Sequence, residues 1–139
     1  RFTILAFSHI VYFMLNNILL IGTGAVFGAV LRHYVSIFFA PLTIFGFSWG
    51  ILACNIIGSF LVGLFIQLST IIIDISLEMR LLIVTGFLSS FTTFSTFAME
   101  TVLMLNKAQY IMAFTYVFVS VVLSIIALYI GLNIVKVFL

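Results

Sequence analysis

The chain has 139 residues, of which 65% are hydrophobic, 17% aromatic and only 6% charged, and its formal net charge is +2. A soluble domain is roughly 25% charged, and the few ionised groups here (Arg1, Arg32, Asp74, Glu78, Arg80, Glu100, Lys107 and Lys136) would not keep a surface of this size in water. With a mean hydropathy of +1.48 the composition excludes a soluble enzyme, and the lack of any basic block argues against a nucleic-acid partner.

Stretches 33–73 and 108–135 carry no formal charge, and a spanning helix needs about 20 apolar residues. Four such helices use most of the chain, so residues 1–139 read as a single integral membrane domain. Residues 1–13 (RFTILAFSHIVYF) either extend the first helix or precede a start at Met14; they show no A-x-A-like cleavage site. Helix one is expected from about Asn17 to Phe39. Its Gly24-x-x-x-Gly28 spacing lets another backbone come close in lipid, Arg32 and His33 lie towards its far end, and Pro41 stops it.

Helix two is expected from about Phe45 to Ser69, with Gly46-x-x-x-Gly50, then Asn55, Gly58, Ser59 and Gly63. A polar hairpin follows at 70–80 (TIIIDISLEMR), where Ser76 suits an N-cap and Glu78 the first turn of the next helix. Segment three, about Leu77 to Leu105, has a centre dense in Gly, Ser and Thr (TGFLSSFTTFSTF, 85–97). Such residues compete for backbone hydrogen bonds, which predicts an interruption near Gly86–Thr92. Broken backbone survives in a bilayer only when buried in protein or lining a wet cavity. Asn106-Lys107 marks a turn, and helix four is expected from about Ala108 to Ile134.

With four spans, Arg1, Arg80 and Lys136 share one side and Arg32 and Lys107 the other. That is almost no positive-inside bias. Either the count is too coarse, or the chain inserts both ways up and pairs antiparallel.

No enzyme or metal constellation is visible: there are no paired acids at membrane depth, and His9 and His33 are far apart. Cys54 is the single cysteine and reads as a small core residue. The informative groups are polar residues at membrane depth, which are costly there and often functional. Asn55 shares a helix face with Ser59 and Gly63; it either glues two helices by hydrogen bonding or lines a path. Phe94 and Phe97 share one face, and Thr93, Phe97 and Glu100 make an overlapping stripe. Paired rings in a membrane helix are usually packing, but here Thr92, Thr93, Ser95 and Thr96 alternate with them.

Ring edges carry partial positive charge and hydroxyls donate hydrogen bonds. Such a wall would strip water from a small anion without the tight grip of a fixed cation. Tyr116, Ser120 and Ser124 add a polar stripe to helix four. Glu100 would be expensive against lipid and should face a vestibule, a partner or the membrane boundary. Arg32 reads either as an interfacial anchor or as an internal tether or electrostatic attractor.

Gly28–Arg32 within GTGAVFGAVLRHYV, Asn55 with Gly58-Ser59-Phe60, and above all GFLSSFTTFSTF (86–97) followed by Glu100 resemble the Fluc (CrcB) fluoride channels. The resemblance runs from about Leu20 to the end of the chain. It implies an all-α membrane protein with a broken third helix, assembled as an antiparallel dual-topology homodimer, that passively exports fluoride across a bacterial inner membrane. It further implies pore roles for Asn55, Phe94, Phe97, Ser95, Thr96 and Glu100, with Tyr116 and Ser120 completing the wall. Arg32, Gly28 and Gly58 would be structural. A structural sodium ion at the dimer centre would be held by the main-chain carbonyls of Ser89 and Thr92. One departure stands out: where the family usually has Gly-Gly after a Gly-Phe-Cys run, this chain has Leu88-Ser89-Ser90.

Two other readings compete. A small multidrug-type proton antiporter shares the dual-topology four-helix plan, but its chemistry needs an embedded carboxylate on helix one, which has no acid here. A non-transporting scaffold would use the small-residue spacings and leave TTFSTF unexplained. A heterodimer with a paralogous subunit stays open.

Overall fold

Long uncharged runs, interrupted only where Pro, Gly or clustered hydroxyl residues intervene, fold into helices whose backbone groups are satisfied within each segment, as lipid demands. The computed structural model describes residues 2–42, 46–71 and 75–138, and among them every regular element is helical. Helix α1 spans Phe2–Phe39 and α2 spans Trp49–Ile71. Helix α3, residues 77–91, has a first turn Leu77–Arg80, a π-helical stretch Leu81–Leu88 and a last turn Ser89–Phe91. Helix α4 spans Phe94–Asn106 and α5 spans Tyr110–Phe138. Four stretches are long and apolar enough to cross a bilayer: His9–Phe39, Trp49–Ile71, Leu77–Asn106 (α3 and α4 in tandem) and Tyr110–Val137.

Several boundaries differ from the sequence expectation. Helix α1 begins at Phe2, not near Asn17, because no Pro, Gly or charge interrupts residues 2–21; Arg1 lies outside the described residues. Helix α2 begins at Trp49. Phe45, where the pattern placed its start, lies outside the described residues, and Gly46 has φ +63°, a backbone conformation open chiefly to glycine. Gly46 therefore belongs to a turn, and of the Gly46/Gly50 pair only Gly50 serves helix packing, against Ser36 of α1. Asp74 of the expected hairpin also lies outside the described residues, while Ser76 caps α3 as its sequence suggests, accepting from Met79 N at 3.3 Å. Helix α5 starts at Tyr110 because Ala108, at φ +55°, closes the preceding turn.

The interruption of the third span is two residues long, at Thr92 (φ −79°, ψ 155°) and Thr93 (φ −153°, ψ 115°). It lies at the end of the expected window. Gly86 itself falls inside the π-helical stretch, where the backbone is widened without being broken. The Ser89 hydroxyl donates to Val84 O at 2.9 Å, tying the end of that stretch to its middle.

Small residues set the helix contacts, since in lipid close van der Waals packing replaces the hydrophobic drive. A side chain at Gly24 or Gly28 would run into the backbone of α3, at Leu82 and Phe87 respectively. Gly63 of α2 and Gly131 of α5 are reciprocal: each faces the other helix's main chain, at Leu128 and Phe60. The α2–α5 and α1–α3 pairings are the most extensive in the molecule. A buried cluster of Ile51, Leu52, Phe97, Met104, Ala113 and Tyr116 joins α2, α4 and α5. Around it the fold leaves most side chains of α1 exposed, including Phe27, Leu31 and Tyr34.

Candidate functional site

The two-residue break frees backbone groups, and their partners define the site. Thr93 is buried, and its N–H donates to Asn55 Oδ1 at 2.8 Å while its carbonyl accepts from Asn55 Nδ2 at 3.3 Å. One carboxamide of α2 thus gives the Thr93 N–H the partner that a continuous helix would have supplied, and adds a second bond to the carbonyl. Thr93 Oγ1 then caps α4, accepting from Thr96 N at 3.3 Å and lying 3.0 Å from Thr96 Oγ1 and 3.3 Å from Ser95 Oγ. On the other side Arg32 of α1 donates from Nη1 to Thr92 O at 3.4 Å, so its guanidinium reaches the break as an internal tether. Gly58 makes room for this arrangement: a Cβ there would collide with Thr92 Cγ2.

Beside the break lies a groove of about 350 Å³, lined by Asn55 and Ser59 of α2, Thr92, Thr93, Phe94 and Phe97 around the break, and Ser120 and Ser124 of α5. The two phenyl rings lie 5.5 Å apart and tilted by 49°. Their settings differ sharply: Phe94 is 78% exposed on this chain and Phe97 only 8%. Tyr116 packs beneath, 5.5 Å from the Phe97 ring and 5.4 Å from Phe47, and is completely buried. Two buried side-chain polar atoms have no hydrogen-bond partner among the described residues, Tyr116 Oη and Ser120 Oγ.

The structure therefore gathers Asn55, Phe94, Phe97, Ser120 and the hydroxyls of Ser95 and Thr96 around one locus, with Tyr116 against its buried ring. Glu100 goes elsewhere. It lines a separate polar hollow of about 250 Å³ with Ser36, Ser48, Trp49 and Gly50, at the end of the bundle where α1 gives way to α2. Gly28 holds α1 against the stretch of α3 that leads to the break, where a Cβ would meet Phe87 O and Phe91 N.

Thr93 is the hub of the hydrogen-bond network; the sequence places it in the polar stripe without a pore role of its own, and its extended backbone is not legible there. Ser59 and Ser124 also line the groove, and their one-turn spacing from Asn55 and Ser120 was the available signal.

The carbonyls of Ser89 and Thr92 are the main-chain groups that would hold a hard cation. Both have lost their helical amides: Thr93 N–H turns to Asn55, and Thr96 N–H to Thr93 Oγ1. Unwound carbonyls of this kind suit sodium, so the donor chemistry fits, with Arg32 sharing the Thr92 oxygen.

A family model described as CrcB-like protein, Camphor Resistance (CrcB), matches residues 19–132. Among similar proteins, a fluoride-specific ion channel of Agrobacterium fabrum is 41% identical over 116 residues, 84% of this chain and 93% of that protein. One from Methanococcus aeolicus is 41% identical over 117 residues, covering 84% and 93%. One from Campylobacter lari is 41% identical over 123 residues, covering 88% of this chain and 100% of its own. A match that takes in the Asn55–Thr93 clamp and the phenylalanine pair and reaches all four apolar spans places this membrane protein in the CrcB (Fluc) family.

Proposed function

We propose that the chain conducts fluoride passively across the membrane, along the groove beside the helix break. The observation that carries this reading is the pair of buried hydroxyls, Tyr116 Oη and Ser120 Oγ, left without partners next to Phe97. A buried unsatisfied polar group costs about 1–3 kcal/mol, and a fold tolerates two together where something else completes them. A small anion is an apt complement. Fluoride holds its water tightly, so dehydration is the barrier, and hydroxyl donors at Ser95, Thr96, Tyr116 and Ser120, the Asn55 amide and the edges of Phe94 and Phe97 would replace that water. None of these is a fixed cation, so release stays fast. Hydrogen fluoride enters cells as a neutral acid and ionises inside, and a leak for the anion then removes it.

The working unit in this reading is an antiparallel homodimer. Phe94 is open on one chain, which suits a ring that meets a second copy. The Ser89 and Thr92 carbonyls would hold a structural sodium ion between copies; the ion supplies a positive charge that binds freed carbonyls together. This chain's part is to present those oxygens: Asn55 and Thr93 Oγ1 divert the competing amides, and the Ser89 hydroxyl, engaged with Val84 O, steadies the backbone at a position where relatives usually have glycine. Glu100, in its own hollow, would form a mouth of the path.

The test is fluoride efflux from liposomes reconstituted with purified protein, with chloride-loaded liposomes in parallel. Rapid fluoride release without chloride release is expected. No fluoride release from a folded dimer refutes homodimeric conduction and turns the search to a paralogous partner.

A further inference from the structure

Far from the break, where α2 ends and α3 begins, lies a second hollow of about 210 Å³ lined by Phe65, Ser69, Thr70, Arg80, Val84 and Thr85 among others. Its lining is of two kinds. Phe65 and Val84 are apolar, whereas Arg80 and the three hydroxyl residues are polar. Arg80 is exposed, and its guanidinium has neither an ion pair nor a hydrogen bond among the described residues; Glu78, two positions earlier, lies on another side of the turn.

The hydroxyls are not equivalent donors. Ser69 Oγ donates to Phe65 O at 2.6 Å and Thr70 Oγ1 to Gln67 O at 2.8 Å, so their protons are spent on their own helix. What they offer to a ligand is acceptor oxygens. A bare halide would meet one cation and the Thr85 hydroxyl but also the lone pairs of Ser69 and Thr70, a poor match. Depth narrows the choice further. From Asn55 to Ser69 helix α2 rises about 21 Å at 1.5 Å per residue, more than the roughly 15 Å from bilayer centre to hydrocarbon edge. With the break near the membrane centre, the hollow sits at headgroup level.

The geometry points to a binding site for the headgroup of an anionic phospholipid that carries its own hydroxyl donors, phosphatidylglycerol. The Arg80 guanidinium takes the phosphodiester oxygens. The glycerol hydroxyls donate to Ser69 and Thr70, and the start of the acyl chains lies on Phe65 and Val84. A choline headgroup has no donor for those oxygens and no net negative charge for Arg80. Free inorganic phosphate has no use for the apolar residues. The site is independent of the conduction reading, since it uses none of the residues around the groove.

Native mass spectrometry of the detergent-solubilised protein tests the assignment, with equimolar phosphatidylglycerol and phosphatidylcholine of matched chains. The wild type should retain phosphatidylglycerol about tenfold more than phosphatidylcholine, the scale of one charge-assisted contact. Arg80→Gln should remove that preference, and Ser69→Ala with Thr70→Val should reduce it while leaving the charge attraction. Equal retention of the two lipids by the wild type overturns the proposal and requires no variant. Unchanged preference in Arg80→Gln, or displacement of the lipid by excess inorganic phosphate, overturns it as well.

Discussion

Asn55 offers the sharpest test of how the break is held. Its carboxamide closes two hydrogen bonds on Thr93, at 2.8 and 3.3 Å. An interhelical hydrogen bond within a membrane averages about 0.6 kcal/mol and reaches about 1.7, so the bonds by themselves are modest. Asn55→Ala does something else: it strands the N–H of Thr93, a residue 8% exposed, at a cost of about 1–3 kcal/mol. The second effect dominates, and a loss of that size is expected in the unfolding free energy measured by detergent titration.

Asn55→Asp separates stability from conduction. It keeps an acceptor for the Thr93 N–H but sets a second oxygen against the Thr93 carbonyl and, when ionised, adds a charge beside the groove. A unit negative charge about 5 Å from a fluoride ion costs about 3 kcal/mol at an effective dielectric of 20, more than a hundredfold in rate. Fluoride efflux read with an ion-selective electrode should fall at least that far in assembled protein. An Asn55→Ala variant as stable as the wild type refutes the clamp, and an Asn55→Asp variant with full flux refutes the placement of the path.

Phe94→Ile should abolish fluoride flux while leaving assembly intact, because the exposed ring contributes little to packing within the chain; size-exclusion chromatography beside efflux reads both. Tyr116→Phe removes a hydroxyl with no partner among the described residues, so stability to detergent should hold or rise by about 1 kcal/mol while flux falls; a clear loss of stability would show that the hydroxyl is structural. Gly28→Val drives a side chain into the Phe87 carbonyl and the Phe91 amide and should cost about 1–3 kcal/mol or more of unfolding free energy. Replacing sodium in the buffer by a bulky organic cation should weaken dimerisation in dilute detergent, read by single-molecule subunit counting, and unchanged assembly would count against the Ser89 and Thr92 carbonyls as a cation site.

Much of this protein is determined by local chemistry that one sequence displays. Uncharged runs of spanning length require helices, because lipid leaves the backbone no other partner. Gly24 and Gly28, four apart, announced the close approach that α1 makes to α3, and the Ser/Thr-rich centre of the third span announced a break. Only the tertiary structure decided where that break falls, because Thr92 and Thr93 are extended through partners on other helices, Arg32 and Asn55, remote in sequence. The same dependence brought Arg32 to the break, turned Gly46 into a turn residue, and sent Glu100 to a hollow of its own. The π-helical turns before the break had no legible signal either: their stretch reads as ordinary apolar helix, and it widens where Gly86 meets Ile21 and Gly24 of α1. Periodicity reports what a helix presents to its surroundings; which surroundings meet it is fixed by contacts between segments, and those are made only when the chain folds.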